Sequence, residues 1–136
     1  MTTSKAVHEA PWERLKAWQA CDQLVLATFR ATRKMPKDED HLLTTELRQA
    51  AMTSAVNICV GSITGSSREF RSYLRGSLGK LAVVSCLLLI MAELEYLPKE
   101  QLSELEILRD HAAKLTGGLH RAVGKATKDI KGTRSG

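Results

Sequence analysis

Residues Leu81 to Ala92 read LAVVSCLLLIMA, twelve positions with a single polar side chain. No other stretch limits the fold as strongly. The run is too short to span a bilayer, so it implies no membrane partner and must be covered by protein. It forms the second half of a longer segment that opens at Ser67. In the first half Phe70, Tyr73, Leu74, Ser77, Leu78 and Leu81 recur at steps of three and four, the spacing of one helical face. The whole segment, to about Leu97, reads as one helix of about 45 Å. Its first half has one apolar face; its second half is apolar all round. In a bundle each helix is covered over only part of its circumference, so the second half calls for a further partner, most simply another copy of the chain. Val83, Leu87 and Ile90 are the residues expected at that interface. The alternative is that flanking helices wrap the run completely.

Helical patterns precede and follow it. Pro11 suits a first helical turn. Leu15, Trp18, Cys21, Leu24, Val25, Thr28 and Phe29 then line one face, up to Met35-Pro36, where the residue before proline is pushed out of helical geometry. Lys37 to Asp40 is a polar connection. Leu43, Leu47, Ala50, Ala51, Ser54, Ala55 and Ile58 mark a second helix whose small residues allow close neighbours. Gly61 is expected to end it in the left-handed conformation. Ser66 and Glu69 fit a capping box for the third helix. After Pro98, Leu102, Leu105, Leu108, Ala112, Leu115, Leu119 and Val123 define a fourth stripe, interrupted by Gly117-Gly118. Aromatics make up only 4% of the 136 residues, which favours helices packed on aliphatic side chains over a β-sandwich. The expectation is an all-α, antiparallel up-down-up-down four-helix bundle over residues 11–124. A flexible N-terminal tail (1–10) and a basic flexible C-terminal tail (125–136) flank it.

That topology places charge at the poles. Arg68, Arg71 and Arg75 follow i, i+3, i+7 spacing and share an end with Arg121, Lys125, Lys128 and Lys131. Glu93, Glu95, Glu100, Glu104, Glu106 and Asp110 gather at the other. With 20 Lys and Arg against 15 Asp and Glu, the net charge is +5. The basic pole is a candidate phosphate-binding surface, with Arg68, Arg71, Arg75, Arg121 and Lys125 as its contacts. The competing reading is an ordinary solvated helix face, since no aromatic residues interleave as stacking platforms.

Catalytic chemistry has no foothold. His8, His41, His111 and His120 lack an HxxxH or Glu-x-x-His spacing, so no metal site is expected. No glycine-rich loop follows a strand, so no nucleotide cofactor is expected either. Ser54 and Ser77 read as packing residues and Asn57 as a structural one. Cys21, Cys59 and Cys86 contain no CxxC pair and sit among apolar neighbours, as buried free thiols in a reducing, cytoplasmic setting.

The residues Leu15-Lys16-Ala17-Trp18, Met35-Pro36, Leu47-Arg48-Gln49-Ala50-Ala51, Ser54, Asn57-Ile58, Gly61, Ser67, Phe70, Leu74 and Gly76-Ser77-Leu78 together resemble one family. It is the family of bacterial four-helix-bundle proteins encoded within intervening sequences of the large-subunit ribosomal RNA gene. The likeness runs from about Leu15 to Leu119. It implies an antiparallel bundle and a ring-shaped homopentamer. It also implies a nucleic-acid role, since the accessory variability proteins of diversity-generating retroelements, distantly similar, form such pentamers and bind nucleic acid. Two positions depart from the family pattern: Val60 and Lys80 stand where it favours glutamate. The combined expectation is a non-enzymatic homo-oligomer that binds structured RNA or DNA through its basic pole. The rival is a protein-interaction scaffold whose basic pole meets an acidic partner.

Overall fold

The computed structural model describes residues 10–33 and 41–135, with side chains to Ala126. Residues 1–9 of the expected 1–10 tail and the connection around Pro36 lie outside the described residues. Four helices account for nearly all of the rest: α1 (Lys16–Thr32), α2 (His41–Ser62), α3 (Ser67–Glu93) and α4 (Lys99–Ser135). They stand in a square. α1 packs on α2 and α4, and α3 packs on α2 and α4, while the diagonal pairs do not approach. This is the all-α four-helix bundle that the four apolar stripes require.

Small residues set the tightness of the packing. One layer at mid-height takes one residue from each helix: Cys21, Ser54, Ser77 and Thr116, all fully buried. Their polar atoms are bonded within the bundle. Ser77 Oγ donates to the Ser54 carbonyl at 2.8 Å, tying α3 to α2, and Ser54 Oγ donates to the Ala51 carbonyl at 2.7 Å. Neither hydroxyl is presented to solvent, in keeping with packing roles. Leu24, Leu47, Ile58, Leu74, Leu81, Met91 and Leu105 fill the adjoining layers. Each stabilises the fold by about 1.5–3 kcal/mol relative to an exposed side chain.

Helix ends depart from expectation in three places. Pro11–Arg14 forms a short 3-10 turn, and the chain is extended at Leu15 (ψ 122°) before α1 begins. Gly61 does not end α2 in a left-handed conformation. It lies inside the helix, buried, where a Cβ would sit 2.7 Å from Tyr73 Cβ and 2.9 Å from Phe70 Cδ1. Its role is to let α2 and α3 approach, and the left-handed residue of the turn is Gly65 (φ 75°). α3 stops at Glu93 rather than near Leu97. There Tyr96 N–H bonds the Met91 carbonyl and Glu95 N–H the Ala92 carbonyl, a Schellman closure that puts Glu95 at φ 58°. At the other end of α3 the Ser66 hydroxyl accepts from Glu69 N–H at 3.3 Å, as the capping pattern requires. α4 keeps helical backbone past Gly124 to Ser135.

One face of α3 remains open. Leu74, Ser77, Leu81, Val84, Leu88 and Met91 point into the core. Opposite them Ala82, Val83, Cys86 and Leu89 are exposed, Leu89 at 60% and Val83 at 39%, with Leu87 and Ile90 half-buried. The flanking helices therefore do not wrap the run. Cys86 is exposed on this face and Cys59 is half-buried, so of the three thiols only Cys21 is buried as expected. The error has a physical reason: an apolar run round a helix says nothing about which of its residues a single chain can cover. Met52 and Val56 on α2, and Ile63 just past its end, are exposed as well. By length and composition α3 as a whole could cross a membrane, which the twelve-residue run alone could not.

Candidate nucleic-acid interface

The α3–α4 seam is antiparallel and reads differently at its two ends. Toward the acidic pole it is saturated. Ser85 Oγ donates to both Glu106 carboxylate oxygens (3.1 and 3.2 Å). Arg109 donates to Glu106 through Nε at 2.9 Å and a terminal nitrogen at 2.6 Å. Asp110 lies 3.6 Å from Arg109 and 3.0 Å from Lys114. The neighbouring cations lower the Asp110 carboxyl pKa, its bond to Lys114 most of all.

Toward the basic pole no acid among the described side chains is paired in the seam. Arg71 of α3 lies flat against Gly124 of α4; a Cβ on that glycine would fall 2.8 Å from Arg71 Nε and 2.9 Å from Cζ. Arg121 folds back along its own helix, 3.5 Å from where a Gly117 Cβ would stand. His120 sits between them, half-buried. Its pKa is pushed down, first by desolvation and then by Arg71, Arg75 and Arg121. Those four side chains therefore share one electrostatic environment. Among the described residues none of Arg68, Arg71, Arg75, Arg121 and Lys125 is in an ion pair. Two buried nitrogens of the cluster, Arg71 Nε and His120 Nε2, have no hydrogen-bond partner.

Of the five contacts expected from sequence, Arg71, Arg75 and Arg121 act electrostatically on His120; Arg71 is half-buried, and Arg75 and Arg121 are exposed. Arg68, a turn nearer the start of α3, and Lys125, beside Gly124, are exposed, and no contact draws either into the cluster. His120, Gly117 and Gly124 are additions. Their signal was present in Gly117-Gly118-Leu119-His120-Arg121-Ala122-Val123-Gly124, where three glycines in eight helical residues clear room for guanidinium groups. Val60 and Lys80 lie elsewhere. Gly61 and Gly76 face each other's helices across the α2–α3 seam, through Tyr73 and Asn57, and helical register puts Val60 and Lys80 on that flank. Glutamates at those positions would not enter the Arg71–Arg121 cluster.

The sequence of residues 13–118 matches the 23S rRNA-intervening sequence protein family. The chain belongs to that family. A crystal structure of a protein of unknown function from the S23 ribosomal protein family of Bacteroides thetaiotaomicron has the same fold. The TM-score is 0.71 at 13% identity, over 77% of this chain and 95% of that one. No curated protein sequence matches the chain. Several residues carrying the family likeness have structural posts: Leu47, Ala50, Ala51, Ser54, Ile58, Leu74 and Ser77 are buried. Arg48 clamps α2 to α1, with Nε donating to Thr32 Oγ1 at 2.8 Å and its guanidinium 4.7 Å above the Phe29 ring. Family membership thus fixes the bundle.

Proposed function

We propose that the chain is a non-enzymatic homo-oligomer, a pentamer, that binds structured RNA or DNA through the basic pole. The observation that carries the reading is that Arg71, Arg75 and Arg121 all act on His120 while none of them is ion-paired among the described residues. Cations held together without counter-charge repel one another, and a polyanion relieves that repulsion while releasing its own counterions. The contacts are to phosphate and carry no base preference, because Phe70 and Tyr73 face α2 and leave no aromatic platform in the seam. Arg68 and Lys125 extend the surface on either side.

Assembly is supported by the open face of α3, where Val83, Leu87 and Ile90 stand beside exposed Leu89 and Cys86. A ring would repeat the basic cluster once per subunit, so that weak single contacts add through avidity. Two measurements test the proposal. Light scattering should give a mass several times 15.0 kDa; a monomer at micromolar concentration would remove the assembly. Replacing Arg68, Arg71 and Arg75 together with Ala should weaken binding of a structured RNA while helicity is kept. Unchanged affinity would sink the assignment and leave a scaffold for an acidic protein partner.

A further inference from the structure

We infer that the basic half of the α3–α4 seam is a site for one phosphate group, held by Arg71, Arg75 and Arg121 with His120 as the fourth ligand. The inference rests on the nucleic-acid reading for the identity of the ligand and narrows it from a charged surface to a defined set of ligands.

Three observations converge. Arg71 Nε and His120 Nε2 are buried without partners and come from facing helices, and Arg71 is among the charges that act on His120. Buried nitrogens of this kind are almost always bonded, so a pair of them in one place marks a missing acceptor. The acceptor must also be an anion. At the other end of the same seam Arg109 and Lys114 are neutralised by Glu106 and Asp110, whereas here no described acid pairs with the arginines. Finally, the α4 backbone is bare of side chains where the guanidinium groups lie. Gly124 leaves the space that Arg71 occupies, and Gly117 lies open beside Arg121. A phosphate offers acceptor oxygens to several donors at once and matches guanidinium groups in geometry and charge.

The fourth ligand makes the site sensitive to proton concentration. The charged groups acting on His120 are Arg71 and Arg75 from α3 and Arg121 from its own helix, and all are cations. With burial, they hold the free imidazole neutral below the ordinary histidine range. A bound phosphate reverses that balance, and the cationic ring can donate to it. The ligand therefore prefers protonated His120. Its extra affinity is complete below the free-state pKa and lost as pH rises through the bound-state pKa.

The test uses the intact protein. The His120 imidazole resonance, assigned by its loss in His120→Gln, is followed against pH with and without sulfate, whose charge is constant over that range. Affinity for a structured ribosomal RNA hairpin is measured over the same pH range. Sulfate should raise the His120 pKa. RNA affinity should rise as pH falls, by at most about tenfold per unit, and His120→Gln should flatten that rise. Gly124→Ala displaces only the Arg71 guanidinium and favours the helix, so it should fold at least as well as the parent yet bind RNA about tenfold more weakly. Gly79→Ala, whose added Cβ meets nothing within 4 Å, should bind normally. RNA binding that ignores pH and Gly124→Ala would overturn the site and leave the nucleic-acid reading standing. A sulfate response with no RNA binding would keep the site and overturn that reading. Neither response would overturn both.

Discussion

Gly61→Ala is the sharpest test of how the bundle is packed. The added Cβ would stand 2.7 Å from Tyr73 Cβ and 2.9 Å from Phe70 Cδ1. Carbon atoms in contact sit about 3.5–4.0 Å apart, so the overlap with Tyr73 is roughly 0.8 Å. The Phe70 ring can swing away. Tyr73 Cβ cannot, because it is fixed to the α3 backbone, and relief requires α2 and α3 to separate. Overpacking of this kind costs about 1–3 kcal/mol. The same substitution inside a helix recovers about 0.5–1 kcal/mol of backbone entropy. The net expectation is a loss of about 1–2 kcal/mol, read as a lower denaturant midpoint by far-UV circular dichroism. Gly117→Ala is the control. Its Cβ meets only an Arg121 nitrogen at 3.5 Å, so it should gain about 0.5–1 kcal/mol. A Gly61→Ala protein as stable as the control would show that the helices do not meet there as described.

Other substitutions separate fold from assembly. Leu88 is 4% exposed and Leu89 is 60% exposed. Leu88→Asp should unfold the chain by burying a carboxylate, whereas Leu89→Asp should keep helicity and reduce the mass seen by light scattering. An exposed Cys86 should react with a thiol reagent in the Leu89→Asp protein and be protected in the assembled parent. Cys21, whose pKa is raised by burial, should stay inert in both until unfolding. Glu95→Gly should stabilise the end of α3 by up to about 1 kcal/mol, since φ 58° disfavours any side chain; a loss on thermal melting would contradict the Schellman closure.

The fold was legible because period and punctuation agreed. Four apolar stripes, Pro11, Pro98 and the Ser66–Glu69 cap all pointed to helices, and the short spacings between them left little choice of topology. Glycine was harder to read. Gly61 and Gly65 are equivalent as turn signals, and only tertiary contact shows that the first spaces two helices while the second makes the turn. The helix end at Glu93 was also hidden, because a glutamate in left-handed backbone carries no sequence mark. For the basic pole, helical spacing placed Arg68, Arg71 and Arg75 on one stripe, yet it could not show that Arg71 packs against Gly124 across a seam while Arg68 and Arg75 stay exposed. His120 looked unremarkable as a histidine without a metal-binding neighbour. Its significance comes from three arginines brought by two helices, which is information about packing.

The central claim is that this protein engages phosphates through the Arg71–Arg75–Arg121 cluster. The most direct measurement is the affinity of the purified protein for a structured ribosomal RNA fragment across salt concentration, beside Arg71→Ala. The account predicts that log affinity falls linearly with log salt, with a slope reduced by about one in the variant. Absence of binding at low salt, or a slope that Arg71→Ala leaves unchanged, would contradict it.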